Sequence, residues 1–280
     1  MRANITKGWG FEMKTWPIFK KARIMLTMLR CRDSRQMMYR LSFWTAFWVD
    51  LTYFIIQLLT FAAIFQQIDS IGDWTMPHMA IFVGTFTMLD ALYMCTYFFG
   101  VLAIPDKIRT GALDLYLTRP VSALFLLSVE SMDFGSILLT IPGLMMVLWG
   151  VNELGLSLTP GLIAGYAALF VGMFLLMYCV MVVLRVTAFW MVRINAFNEL
   201  ENALVEFSFR VPGVVYQGIW KFFLYVLLPY GLMATIPTQF LTGGMQLQHW
   251  LLTGGVLAGF WIVMTRLWQA GLRRYGSASS

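Results

Sequence analysis

Long apolar runs separated by short polar stretches set the rhythm of this chain. Six runs are long enough to cross a bilayer, which takes about 20 apolar residues as a helix. They lie at roughly 41–65, 79–103, 123–150, 161–188, 213–236 and 247–268. The pattern predicts an all-α membrane protein with a six-helix transmembrane domain over 41–272 and a short tail at 273–280. Before the first run, Trp16 to Arg30 repeats at the helical period: Phe19, Ala22, Met25, Leu26 and Leu29 share one face, while Lys20, Lys21, Arg23 and Arg30 fall elsewhere. This predicts an amphipathic helix lying in the membrane interface, or else packed on a partner. The fifth run is irregular. Pro229, Gly231, Pro237 and Gly243-Gly244 follow a helix expected over Val214 to Leu228, so it breaks near its outer end. Either a re-entrant outer hairpin precedes the last span, or a kinked helix leads into a plain loop. Irregular backbone at membrane depth needs shielding by protein or water.

Composition supports the membrane assignment. The 280 residues are 59% hydrophobic and only 12% charged, against about a quarter charged in soluble domains. The distribution of the +6 net charge then sets orientation. Apart from Lys221, every Lys and Arg falls in 1–40, 104–122, 185–212 or 266–280, and none in 66–78, 151–160 or 237–246. The positive-inside rule places both termini in the cytoplasm. The basic arm over 1–40 is therefore expected to touch anionic lipid rather than nucleic acid. No apolar core follows the first charges, so a cleavable signal peptide is not expected. Cys31, Cys95 and Cys179 have no metal-ligand spacing and suggest no disulfide framework.

Candidate chemistry is sparse. There is no G-x-x-x-x-G-K-[ST] phosphate loop, no H-E-x-x-H and no G-x-S-x-G, so catalysis by this chain is not expected. The apolar runs do contain Asp50, Asp90, Glu130, Asp133 and Lys221. Each is costly in lipid and should face protein or water. At ~1.5 Å per residue, Asp50, Glu130 and Lys221 lie about 12–14 Å from the inner ends of their runs. A pair between Lys221 and Glu130 or Asp133 would tie the third span to the fifth. The functional alternative is an ion pathway through Asp90, Glu130, Asp133 and Lys221, which would make the chain an ion-coupled secondary transporter. The 20 Met residues and the aromatics could line a path for greasy cargo, or serve ordinary packing.

The stretch Ile104 to Ser122, IPDKIRTGALDLYLTRPVS, is the polar connection richest in structure signals. It opens with a proline, closes on Arg119-Pro120 and reads as a short amphipathic helix just outside the membrane. Leu113 and Leu117 stand one turn apart and could plug an apolar groove. Asp106, Lys107, Arg109 and Asp114 could make contacts at its rim.

Residues 108–122, IRTGALDLYLTRPVS, resemble the first cytoplasmic loop of ABC-type permeases of the type-two, exporter-like class, and within it a six-span permease subgroup. Ile108, Arg109, Gly111, Leu113, Asp114, Leu117, Arg119 and Pro120 carry the resemblance, while Ala112 stands where the family often has an acidic or polar residue. The likeness extends to the LPYGLMATIPTQFL stretch at 228–241. It implies a type V exporter-like fold in a bacterial inner membrane, with 104–122 as a coupling helix seated on a separate ATPase. Ile108, Arg109, Gly111, Leu113, Asp114, Leu117 and Arg119 would form the docking set. It also implies a pair of ATPase subunits that carry ATP and magnesium, no cofactor in this chain, and a second permease chain, a heterodimer being favoured over a homodimer.

Overall fold

The structure, a computed structural model, describes residues 40–119, 121–191, 195–243 and 247–275. The amphipathic helix expected within 1–40 lies outside the described residues. Every regular element among the described residues is helical.

Helix α1 is Arg40–Phe65. α2 is Met76–Tyr93, opened by extended Thr75 and Pro77. It continues through a π turn, Met94–Phe98, into Phe99–Leu102. Two short helices follow, α3 at Ile104–Arg109 and α4 at Asp114–Leu117. α5 is Ala123–Val129, with the Ser122 hydroxyl accepting from the Phe125 amide. α6 is Thr140–Glu153, preceded by a 3-10 turn at Ser136–Leu139. α7, Pro160–Val186, is capped by Thr159 and runs into a 3-10 turn at Thr187–Phe189. α8 is Asn195–Arg210. The short α9, Gly218–Phe222, and α10, Thr235–Leu241, flank irregular turns. α11, Leu247–Tyr275, ends the described chain.

Among the described residues, five stretches are long and apolar enough to cross a membrane: Phe47–Phe65, Met76–Arg109, Ser136–Glu153, Pro160–Phe189 and His249–Tyr275. A sixth arises only if Gly218–Leu227 and Pro229–Leu241, bent by 87° at Leu228, count as one. Small residues let α2 and α6 approach closely: a Cβ on Gly84 would collide with the Gly143 carbonyl oxygen, and one on Gly150 would press on Pro77 and Ile81. Met173, Met177, Met181 and Met233 are packed in the core around α7. Trp48, Tyr53, Ile56 and Leu59 of α1 face outward, as suits lipid contact.

The third run differs from the unbroken span expected over 123–150. α5 stops at Val129, and helix resumes only at Ser136. Asp133 explains the break. Its carboxylate accepts from the Gly135 amide at 3.0 Å, and its own amide donates to the Cys95 carbonyl of α2 at 3.2 Å. A short side chain that bonds its local backbone competes with the helix ladder. The π turn of α2 lies beside this break.

The fifth run differs more. One end of the bundle carries α3 and α4, the turn after α7 and the C-terminus of α11, where the Phe189 ring meets Trp268 at 5.9 Å and Tyr275 at 6.1 Å. The opposite end carries the 66–75 turn. α8 links the two. Glu201 meets Arg185 near the end of α7. Further along, the Phe209 ring lies 4.6 Å from that of Phe86, and the Gln57 amide donates to the Phe209 carbonyl at 3.1 Å. Just beyond, Val214 Cγ2 lies 3.8 Å from where a Cβ on Gly72 would stand. A helix of 16 residues covers about 24 Å at ~1.5 Å per residue. So α8 makes a long passage between these ends, and the expected run at 213–236 is bent at Leu228. The 213–241 stretch begins and ends at the opposite end, where Phe240 meets Trp250 at 5.4 Å. Its second half is apolar because it is buried in the protein, where Tyr230, Leu232, Met233, Ala234 and Ile236 are core residues, while its first half leaves Ile219, Trp220, Phe222 and Leu227 exposed.

Candidate functional site

The segment between α2 and α5 is built as a corner rather than the single helix expected. α3 begins on Ile104-Pro105 and caps at Thr110. Gly111 then turns the chain with φ +76°, the left-handed conformation that glycine adopts without a Cβ penalty after a helix end. The Leu113 amide returns to the Lys107 carbonyl at 3.1 Å, and α4 starts at Asp114.

This corner buries Leu113 completely, at 0% exposure, in the chain's own core with Ile104 and Leu127. Ile108 and Leu117 are half-buried against the same core. Leu113 thus fills the chain's own core rather than standing free for a partner's groove, Leu117 is partly covered by that core, and the apolar side chain that faces outward is Leu115, 66% exposed. Asp106, Arg109, Thr110, Gly111, Asp114, Thr118 and Arg119 share the exposed surface. Arg109 Nη2 donates to Asp106 Oδ1 at 3.1 Å with both side chains exposed, a contact worth little on its own.

Lys107 turns inward instead of joining the rim. It pairs with Glu130 and donates to the Tyr116 hydroxyl at 2.7 Å, and that hydroxyl donates to Glu130 Oε1 at 2.6 Å. Lys107 Nζ also lies 4.4 Å from the Tyr116 ring centroid, and the Arg119 guanidinium 5.7 Å from it. The cluster clamps the corner to the residue that ends α5. Next to it, a Cβ on Gly100 would collide with the Leu127 and Ser128 carbonyl oxygens. The corner, the end of α2 and α5 are thus tightly joined. At the far side of the corner, Gly111 lies near the Tyr275 hydroxyl of α11.

The proposed bond between Lys221 and Glu130 or Asp133 does not form. Glu130 takes Lys107 as its cation, and exposed Lys221 lies with Nζ 5.7 Å from the Tyr225 ring centroid. The physical reason is the altered path of the chain: Lys221 belongs to the α9 arm, whereas Glu130 sits where α5 meets the corner. Asp50 Oδ2 accepts from the Ser136 hydroxyl at 3.1 Å, so α1 is tied to the turn that opens α6. Asp50, Asp90 and Asp133 are electrostatic neighbours. Asp90 makes no hydrogen bond or ion pair among the described residues. No group of three His, Cys, Asp or Glu side chains there could hold a metal ion.

A second polar centre was not foreseen from the sequence. Arg185 of α7, 1% exposed, forms an ion pair with equally buried Glu201 of α8, and the Tyr230 hydroxyl donates to Glu201 Oε1 at 2.9 Å. The other side of α8 exposes Glu199, Asn202, Glu206 and Arg210, the last two paired with each other. The signal was present in NELENALVEF, where polar residues recur at helical spacing beside Leu200, Leu204 and Val205, but that polarity made the stretch read as a connection.

The model of the ABC-2 family transporter proteins matches residues 51–279. The chain belongs to this family and is an ABC-2 type permease, a membrane component rather than the ATPase. Such permeases generally pair with an ATPase subunit. Neither a curated protein nor a solved structure matches the chain.

Proposed function

We propose that this chain is the permease subunit of an ATP-driven exporter of hydrophobic or amphipathic cargo, and that a separate ATPase docks on the corner between α2 and α5. The observation that carries this reading is the corner itself. It offers an exposed strip of Leu115 among Asp106, Arg109, Asp114 and Arg119, and its back is clamped by Lys107, Tyr116 and Glu130 to the end of α5. Movement of a partner seated there would be passed to α2 and α5 rather than lost in a flexible loop. The π turn of α2 and the break at 130–135 are the points at which those helices could bend.

In this reading α8 is the fifth membrane crossing and 213–241 a re-entrant outer hairpin, so the corner and α11's C-terminus lie on the cytoplasmic side. The exposed stripe of Glu199, Asn202, Glu206 and Arg210 cannot face lipid at low cost. It is placed toward a water-containing pathway between two permease chains, with two different permeases favoured over a pair of the same one. The exposed residues of α1 from Trp44 to Phe65, and of α11 from Trp250 to Val263, include no charged side chain, which suits cargo that moves partly through lipid.

Leu115→Asp tests the docking assignment. The variant should insert and fold normally, because the side chain is already exposed, yet lose co-purification of the ATPase by about tenfold or more, a charge in a desolvated contact costing ~2 kcal/mol or more. Undiminished recovery of the ATPase would reject this docking face.

A further inference from the structure

The cluster of Arg185, Glu201 and Tyr230 joins the end of α7, the middle of α8 and the bent corner of the hairpin. We propose that it is a latch that holds the hairpin against α7 and α8, and that opening the pathway parts it. This rests on the reading of the chain as a permease.

Three observations carry the proposal. Tyr230 lies in the 3-10 turn Pro229–Leu232, at the 87° corner, so its hydroxyl ties that corner to buried Glu201. The pair it joins is sealed, with Arg185 and Glu201 at 1% and 2% exposure. Nε and Nη1 of Arg185 find no acceptor among the described residues. A buried ion pair is a weak source of net stability, because desolvation offsets most of the attraction, and its best-attested use is in switches. Here the offset is larger, since two donors of the guanidinium go unmatched by protein. Parting the cluster exposes all three groups to water and satisfies them. The polar cluster therefore adds little net stability to the closed arrangement, as a gate moved by a partner requires. The rest of the hairpin base is fixed separately. The Gly213 amide donates to the Thr235 hydroxyl at 2.9 Å, and the Tyr216 hydroxyl donates to the Val211 carbonyl at 2.8 Å.

Tyr230→Phe keeps the ring and its packing and removes one hydroxyl. Hydrogen exchange of the full chain in lipid nanodiscs, read on peptides covering 224–235, should be about tenfold faster in this variant, with α2 and α6 unchanged. Glu201→Gln should accelerate the same peptides at least as much. The double variant Arg185→Met with Glu201→Met, made together with Tyr230→Phe, removes the polar demand altogether. It should exchange more slowly than wild type at the corner and lower the ATP turnover of the assembled transporter, a readout that a merely structural pair would not move. Unchanged exchange in both single variants, or wild-type turnover in the combined variant, overturns the latch. So does exchange that rises equally in every helix, which marks loss of fold. The exchange arm needs no ATPase, so its failure leaves the docking test standing.

Discussion

Leu113 and Leu115 stand two residues apart in a segment that looks uniformly amphipathic, and they have opposite surroundings. Both follow the left-handed turn at Gly111, and their two-residue spacing at the start of α4 puts them on opposite sides, Leu113 under the corner and Leu115 outside. Their aspartate variants should therefore diverge. Leu113→Asp buries a charge in the core, should cost several kcal/mol of stability, and should appear as loss of monodisperse protein on heating in detergent. Leu115→Asp should leave the thermal profile unchanged. Tyr116 gives a finer test. Its hydroxyl bridges Lys107 and Glu130, so Tyr116→Phe should lower the melting temperature modestly, by the ~1–2 kcal/mol of a charge-assisted bond. Lys107→Met should lower it further, because it leaves Glu130 without its cation. Equal melting temperatures for the two variants and wild type would remove the clamp from the account. None of these partners was legible in the residues alone. The Lys107 side chain can reach outward or inward from the same helix, and only the corner's path decides.

At the scale of elements, the apolar runs that became α1, α2, α7 and α11 were legible because each is continuous: α1, α7 and α11 expose apolar side chains, and α2 is buried on every side along most of its length. Two were misread, for one physical reason: apolarity reports removal from water, whether into lipid or into protein. Within the 213–236 run, Tyr230, Leu232, Met233, Ala234 and Ile236 are removed from water into the core, whereas Ile219, Trp220, Phe222 and Leu227 are exposed apolar side chains. α8 is polar because one face meets Arg185 and Tyr230 and another stays exposed. The break at 130–135 was hidden because Asp133 looks like an intramembrane charge seeking a cation, when its carboxylate closes a local turn. Close helix packing offers a test at this scale. Gly100→Val would drive a side chain into the Leu127 and Ser128 carbonyls and should destabilise by ~1–3 kcal/mol through displaced backbone. Reduced ATP turnover of the assembled transporter should accompany it, because the contact ties α2 to α5. A fully stable and active variant would show that these helices need not move together.

At the scale of the whole molecule, the account makes six crossings only if α8 is one of them, and that fixes which residues share a face of the membrane. Single cysteines at Arg109 and Val215 should react with a membrane-impermeant maleimide from opposite sides, since Val215 is exposed just beyond α8. Labelling of both from one side would mean that α8 does not cross. The family explains why such a bundle, with no nucleotide-binding loop of its own, should present a rigid exposed corner. The claim on which the rest depends is that an ATPase sits there. The most direct measurement is site-specific photo-crosslinking in intact membranes, with the reactive residue placed in turn at positions 115, 113 and 148. Leu148 faces outward on α6, well away from the corner. The account predicts that position 115 captures a protein identified as an ABC ATPase, while 113 and 148 do not. No ATPase captured from 115, or equal capture from 148, would contradict it.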